Sequence, residues 1–90
     1  MIFEWDPIKA EQNFKKHGVD FVEASTVFRD PLSVTYSDPD HSINESRFII
    51  IGISNRNRLL IVAHTDRNER TRIINARETI RRERKLYENG

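Results

Sequence analysis

Three β-prone runs in the second half of the chain, at residues 47–53, 59–65 and 70–74, are separated only by short polar joints. The joints are Ser54-Asn55-Arg56-Asn57 and Asp66-Arg67-Asn68-Glu69, both rich in turn-forming residues. A connection this short can join only antiparallel neighbours, because a parallel crossover needs a dozen residues or more. These runs therefore predict a meander. Leu32-Ser33-Val34-Thr35-Tyr36 alternates apolar and polar residues, as a half-buried strand does, and predicts a further strand. Residues 37–46 are polar, contain Pro39, and read as a loop. An antiparallel sheet of about four strands results, and its apolar face needs helices to cover it.

The first thirty residues supply them. Residues 2–5 are a short β-prone start anchored by Trp5. Asp6-Pro7 is an N-cap followed by proline at the first helical position. A helix is predicted from Pro7 to His17, with Ala10, Phe14 and His17 on one face and Gly18 as its left-handed stop. Asp20 with Glu23 forms an acidic variant of the capping box and opens a second helix, about 20–29, that Asp30-Pro31 ends. Asn75 with Glu78 predicts the cap of a last helix, which places Ala76, Ile80, Arg84 and Tyr87 on one face. The predicted class is α+β: a two-layer fold with two N-terminal helices, the sheet, and a C-terminal helix on the same face as the others.

Ninety residues make one small domain, 1–90, with a modest core. There is no cysteine, so neither a disulfide framework nor a thiolate metal site is possible. His17, His41 and His64 match no common zinc spacing, and no metal or cofactor is implied. No apolar run is long enough for a membrane span, and the N-terminus lacks the regions of a signal peptide, so the expected location is cytoplasmic. Charge is unevenly distributed. Residues 1–46 hold four basic and nine acidic side chains, net −5; residues 47–90 hold eleven basic and five acidic, net +6. Ten of those eleven are arginine, whose planar fork suits phosphate, so the basic half predicts contact with nucleic acid or an acidic protein.

An ordered set of residues resembles a known family. Phe3-Glu4-Trp5-Asp6, Lys9, Asn13, Lys16-His17-Gly18-Val19, Phe21, Ala24, Val27-Phe28, Asp30-Pro31, Arg47, Gly52, His64-Thr65, Arg72-Ile73-Ile74 and Ala76-Arg77 together resemble BrnT, the toxin of a type II toxin–antitoxin pair. Asn75 departs from the pattern where serine is expected, and both residues cap helices well. The resemblance implies a RelE-like fold and a ribonuclease that blocks translation. It also implies a BrnA antitoxin that dimerises through a ribbon-helix-helix domain. Toxin and antitoxin would form a heterotetramer, and operator DNA would be met only through the antitoxin.

Metal-free RNA cleavage needs a base for the ribose 2′-hydroxyl, cations for the charge growing on phosphate, and an acid for the leaving oxygen. Arg72, Arg77 and Arg81 are the first candidates for phosphate contact: Arg72 and Arg77 as catalytic groups, and Arg81, one turn beyond Arg77 on the predicted last helix, as an RNA contact. Their alternative is a solvated face of ion pairs, which is the reading for Arg82, Arg84 and Lys85. His64 lies in phase with Leu60 and Val62, so it is either a core histidine or an acid–base group. His17 beside Lys16 either complements the helix C-terminus or forms a base-and-phosphate pair. Arg47 is either a rim partner of Glu45 or an RNA contact. Lys9 is an RNA candidate or a plain surface lysine, and Tyr87 packs or stacks on a base. His41, in the polar loop, is assigned no role. A non-catalytic basic module that binds RNA or protein is the competing function.

Overall fold

The computed structural model describes residues 1–90. The elements in order are β1 (Ile2–Glu4), α1 (Pro7–His17), α2 (Phe21–Thr26) with a 3₁₀ turn (Val27–Arg29), β2 (Val34–Ser37), a second 3₁₀ turn (Pro39–His41), β3 (Arg47–Ile53), β4 (Leu59–Arg67), β5 (Arg70–Glu78) and α3 (Arg81–Asn89). No helix is long and apolar enough to cross a membrane.

Local chemistry accounts for most boundaries. The Asp6 carboxylate accepts the Ile8 N–H at 2.9 Å and caps α1. Gly18 ends α1 at φ +70°, and its N–H reaches the Phe14 carbonyl at 2.8 Å. Asp20 caps α2 through the Glu23 N–H at 2.7 Å. The β4–β5 joint is a two-residue turn in which Asn68 and Glu69 both take positive φ, the twist that suits antiparallel strands.

The predicted meander is present: β2, β3, β4 and β5 pair antiparallel in that order. The sheet nevertheless has five strands and is mixed. β1 adds to the far side of β5 in parallel, from Ile2 opposite Arg70 to Glu4 opposite Arg72, giving the order β1-β5-β4-β3-β2. Nothing in a three-residue strand specifies a partner 68 positions away; the parallel place is set once α1 has turned the chain back.

The second correction concerns the last strand and helix. β5 continues to Glu78, so Asn75 and Arg77 are strand residues, and α3 begins only at Arg81. The capping carboxylate is that of Glu83, which accepts the Ile80 N–H at 2.9 Å, not that of Glu78. The cause is tertiary. β1 stops opposite Arg72, which leaves β5 with a free edge at Ala76. The buried Asn13 side chain of α1 fills that edge as a strand would. Its Nδ2 donates to the Ala76 carbonyl at 2.8 Å and to the Val19 carbonyl at 2.9 Å, and its Oδ1 accepts the Ala76 N–H at 3.1 Å. These bonds hold Ala76 extended against its local tendency toward helix. A bulge precedes it: Ala63 faces Asn75 and His64 faces Ile73, leaving Ile74 unmatched.

The core lies on one face of the sheet. Val19, Phe21, Ala24 and Val27 pack against Ile50, Leu60, Val62, Ile73 and Ala76. Each fully buried aliphatic side chain there contributes about 1.5–3 kcal/mol. Gly52 lets the first 3₁₀ turn close on β3, since a Cβ there would stand 3.0 Å from the Val27 carbonyl oxygen. A buried Glu23 locks α2 to the β3–β4 hairpin through both oxygens to Arg58 and through a 2.7 Å bond from Ser54. α3 departs from the single helical layer. It contacts β3, and Gly90 at its end packs on Val34, the partner of Ile51, on the face opposite α1 and α2. Ile51 is accordingly only 1% exposed.

Candidate active site

The register separates β5 side chains into two sets. Thr71, Ile73 and Ala76 are buried, whereas Arg72, Asn75 and Arg77 project to the other side. Arg77 stands where the free edge of β5 meets α1. A cleft of about 510 Å³ opens there, lined by Lys9, Gln12, Lys16, His17, Asn75 and Arg77, with Asn13 and Ile74 behind them. Lys9, Lys16 and His17 come from α1, at spacings that place them on one flank of the helix. Four sequence-selected residues, Lys9, Lys16, His17 and Arg77, thus share one cleft.

A second hollow of about 140 Å³ continues over the open face of the sheet. Its floor is Ile49, Ile61 and Ala63, and its rim is Asp38, His41, Arg47, Asn75 and Arg77. Asn75 and Arg77 line both hollows, so the two form one groove. Arg47 belongs to this second part and not to a pair with Glu45. That carboxylate instead takes Arg67, at 2.7 and 3.0 Å. Arg47 has no ion-pair partner, and neither do Lys9 and Lys16, which leaves three free cations along the groove.

Arg77 is held differently. Its guanidinium makes two parallel 2.8 Å bonds to the Glu83 carboxylate, at the first turn of α3. This pairing raises the Arg77 pKa and lowers that of Glu83. Glu83 also caps α3, so one carboxylate fixes both the helix start and the direction of Arg77.

The other sequence-selected residues lie elsewhere. Arg72 bonds Glu4 on β1 at 3.0 Å, away from both hollows. Arg81 is an exposed residue of the first turn of α3, one of two arginines now separated into strand and helix. Tyr87 donates its hydroxyl to Asp30 at 2.6 Å, which raises its pKa to about 12 and ties α3 to the joint before β2. His64 faces the core at 6% exposure, between Phe28 and Phe48, and burial lowers its pKa. Neither of its ring nitrogens has a partner.

Asn75, Gln12, Asp38 and His41 were missed as groove residues. Asn75 was hidden by its reading as a cap. Asp38 and His41 carried one local signal, a three-residue spacing around Pro39, which a tight turn converts into a contact.

A family described as the ribonuclease toxin BrnT of a type II toxin–antitoxin system matches residues 5–83. The chain belongs to the BrnT family. Members of this family are ribonuclease toxins of type II systems, and such a system pairs the toxin with an antitoxin. The crystal structure of the Brucella abortus ribonuclease toxin BrnT is similar at 20% identity, with a TM-score of 0.69, over 90% of this chain and 100% of that one. At that identity the likeness concerns the fold, and it shares the α+β architecture described above. No curated protein matches the chain.

Proposed function

We propose that this BrnT family member is an endoribonuclease that cuts RNA in the groove and thereby stops translation. One observation carries the reading: Lys9, Lys16, His17 and Arg77, drawn from α1 and β5, converge on a single open cleft that continues to Arg47. A cleft of cations with an imidazole is the equipment for phosphodiester chemistry. Lys9, Lys16 and Arg47 hold backbone phosphates. Arg77, released from or shared with Glu83, stabilises the dianionic charge at phosphorus. His17 moves a proton to or from a ribose or leaving oxygen. The polar groups lining the groove are mainly cations, imidazoles and amides, with Asp38 the one carboxylate, so the proposed route uses the 2′-hydroxyl and no metal. It yields a 2′,3′-cyclic phosphate and a 5′-hydroxyl.

The proposed antitoxin is of the BrnA type, a ribbon-helix-helix dimer carrying two toxin copies in a heterotetramer. It would cover the basic groove, reach operator DNA on the toxin's behalf, and act in the cytoplasm.

The test is incubation of the purified, antitoxin-free chain with RNA in the presence of EDTA. We expect fragments ending in cyclic phosphate, and an end to cleavage once antitoxin is equimolar. RNA that is bound but stays intact would replace this reading with a non-catalytic binding module.

A further inference from the structure

We propose that His41, aimed by Asp38, is a second proton-transfer residue of the groove, acting opposite His17 across a phosphate held by Arg77 and Arg47; this rests on the ribonuclease reading above. His41 Nδ1 lies 3.0 Å from Asp38 Oδ2. The Asp38 side chain is 16% exposed and the His41 side chain 64%, so the carboxylate is sheltered while the imidazole stays open to solvent, and both residues line the second hollow of the groove. A carboxylate on one ring nitrogen orients the ring and leaves the other nitrogen to exchange a proton.

The turn carrying this pair is tied to the sheet. The Asp38 N–H donates to the Arg47 carbonyl at 2.9 Å. The Ser42 hydroxyl donates to the Asp38 carbonyl at 2.6 Å and accepts the Arg47 N–H at 2.9 Å. Pro39 fixes φ at the first position of the turn. His41 is thereby held beside the start of β3, over the Ile49, Ile61 and Ala63 floor. It shares that hollow with Arg47 and with the Arg77 and Asn75 that also line the cleft of His17. The charged groups around it are Asp38, Asp40 and Glu45 on its own loop, Arg47 on β3 and Arg77 on β5.

In-line displacement at phosphorus needs two proton carriers, because nucleophile and leaving group occupy opposite sides. One histidine takes the proton from the 2′-hydroxyl as O2′ bonds to phosphorus. The other gives a proton to the 5′-oxygen as its bond to phosphorus breaks. In this proposal His17 serves one side of the phosphorus and leaves the other to a second carrier. Two histidines on adjoining hollows, with Arg77 common to both, supply the pair.

The experiment uses the purified chain and an RNA oligonucleotide at a linkage the wild type cuts, in two forms. One form has the normal 5′-oxygen; the other has a bridging 5′-sulfur, whose thiolate leaves without needing a proton. His41→Gln and His17→Gln are each expected to lose about 100-fold on the oxygen linkage, at unchanged melting temperature. The sulfur linkage is expected to restore one of the two variants and not the other, which identifies the acid. Asp38→Asn is expected to lose about tenfold and to follow His41→Gln in its response to sulfur, as a positioning residue should. Cleavage by His41→Gln within about threefold of wild type, or the same response to sulfur in both histidine variants, would overturn the proposal. A wild-type chain that leaves both RNAs intact would instead mean that the ribonuclease reading has failed.

Discussion

The two faces of the sheet treat the same side chains in opposite ways. On the face covered by α1 and α2, His64 is wedged between Phe28 at 4.9 Å and Phe48 at 5.7 Å, without a hydrogen bond and with its charged form disfavoured. On the face and edge left open, His17 stands beside Lys9, Lys16 and Arg77, and His41 stands between Asp38 and the arginines Arg47 and Arg77. Arginine divides likewise. Arg58 is spent on the buried Glu23, whereas Arg47 has no partner and Arg77 is paired with one carboxylate at the rim of the groove. Residue type therefore says little about role here; which side of the sheet carries the residue says much more. The covered face commits its few polar groups to internal bonds and packing, and the open face leaves them at the surface.

Substitutions on the two faces should separate stability from activity. The largest expected effect is Phe21→Ala, which empties a site 1% exposed in the covered core. It should cost about 3–5 kcal/mol, read as a fall in the denaturant midpoint, with activity lost only through unfolding. Arg77→Ala should do the reverse. Cleavage falls about 100- to 1000-fold while the fold survives, since the Glu83 left behind keeps its bond from the Ile80 N–H. Equal losses of stability in both variants would erase the contrast between the faces.

His64 gives a subtler effect. Its folded pKa is lowered by burial, so below its unfolded value the unfolded chain binds a proton that the folded chain does not. Stability should therefore decrease as pH drops through about 6.5, with a slope of up to about 1.4 kcal/mol per pH unit from this group. His64→Leu should flatten that slope in melting temperature between pH 7.5 and 5.5. An unchanged slope would mean that the ring is protonated in the core. The smallest effect is expected for Arg72→Ala. Its pair with Glu4 is 30% exposed on the Arg72 side and 26% on the Glu4 side, so the loss should stay under about 1 kcal/mol, with cleavage within about threefold.

The periodic and capped parts of this fold were readable in advance, because their causes sit within a few residues. Asp6 and Gly18 bound α1 through bonds to Ile8 and Phe14. The turns between β3, β4 and β5 are too short for anything but a meander. The same local logic failed at residues 75–80. There a plausible cap, Asn75 with Glu78, was overruled by Asn13, which lies 63 positions before the backbone it binds. That one clamp moved Arg77 from helix to strand, and with it the centre of the groove.

The sequence alone determined the strand meander, the limits of the leading helices, the class of the fold and a basic second half, since all of these follow from spacing, caps and composition. Tertiary structure decided which polar residues meet. It seated β1 beside β5, sent His64 inward, put α3 on the far face, and brought His17, His41, Arg47 and Arg77 to one groove from four separate elements. The physical reason is range. Caps and periodicity act over one turn of chain, whereas the groove depends on pairings between residues dozens of positions apart, which exist only once the sheet has closed.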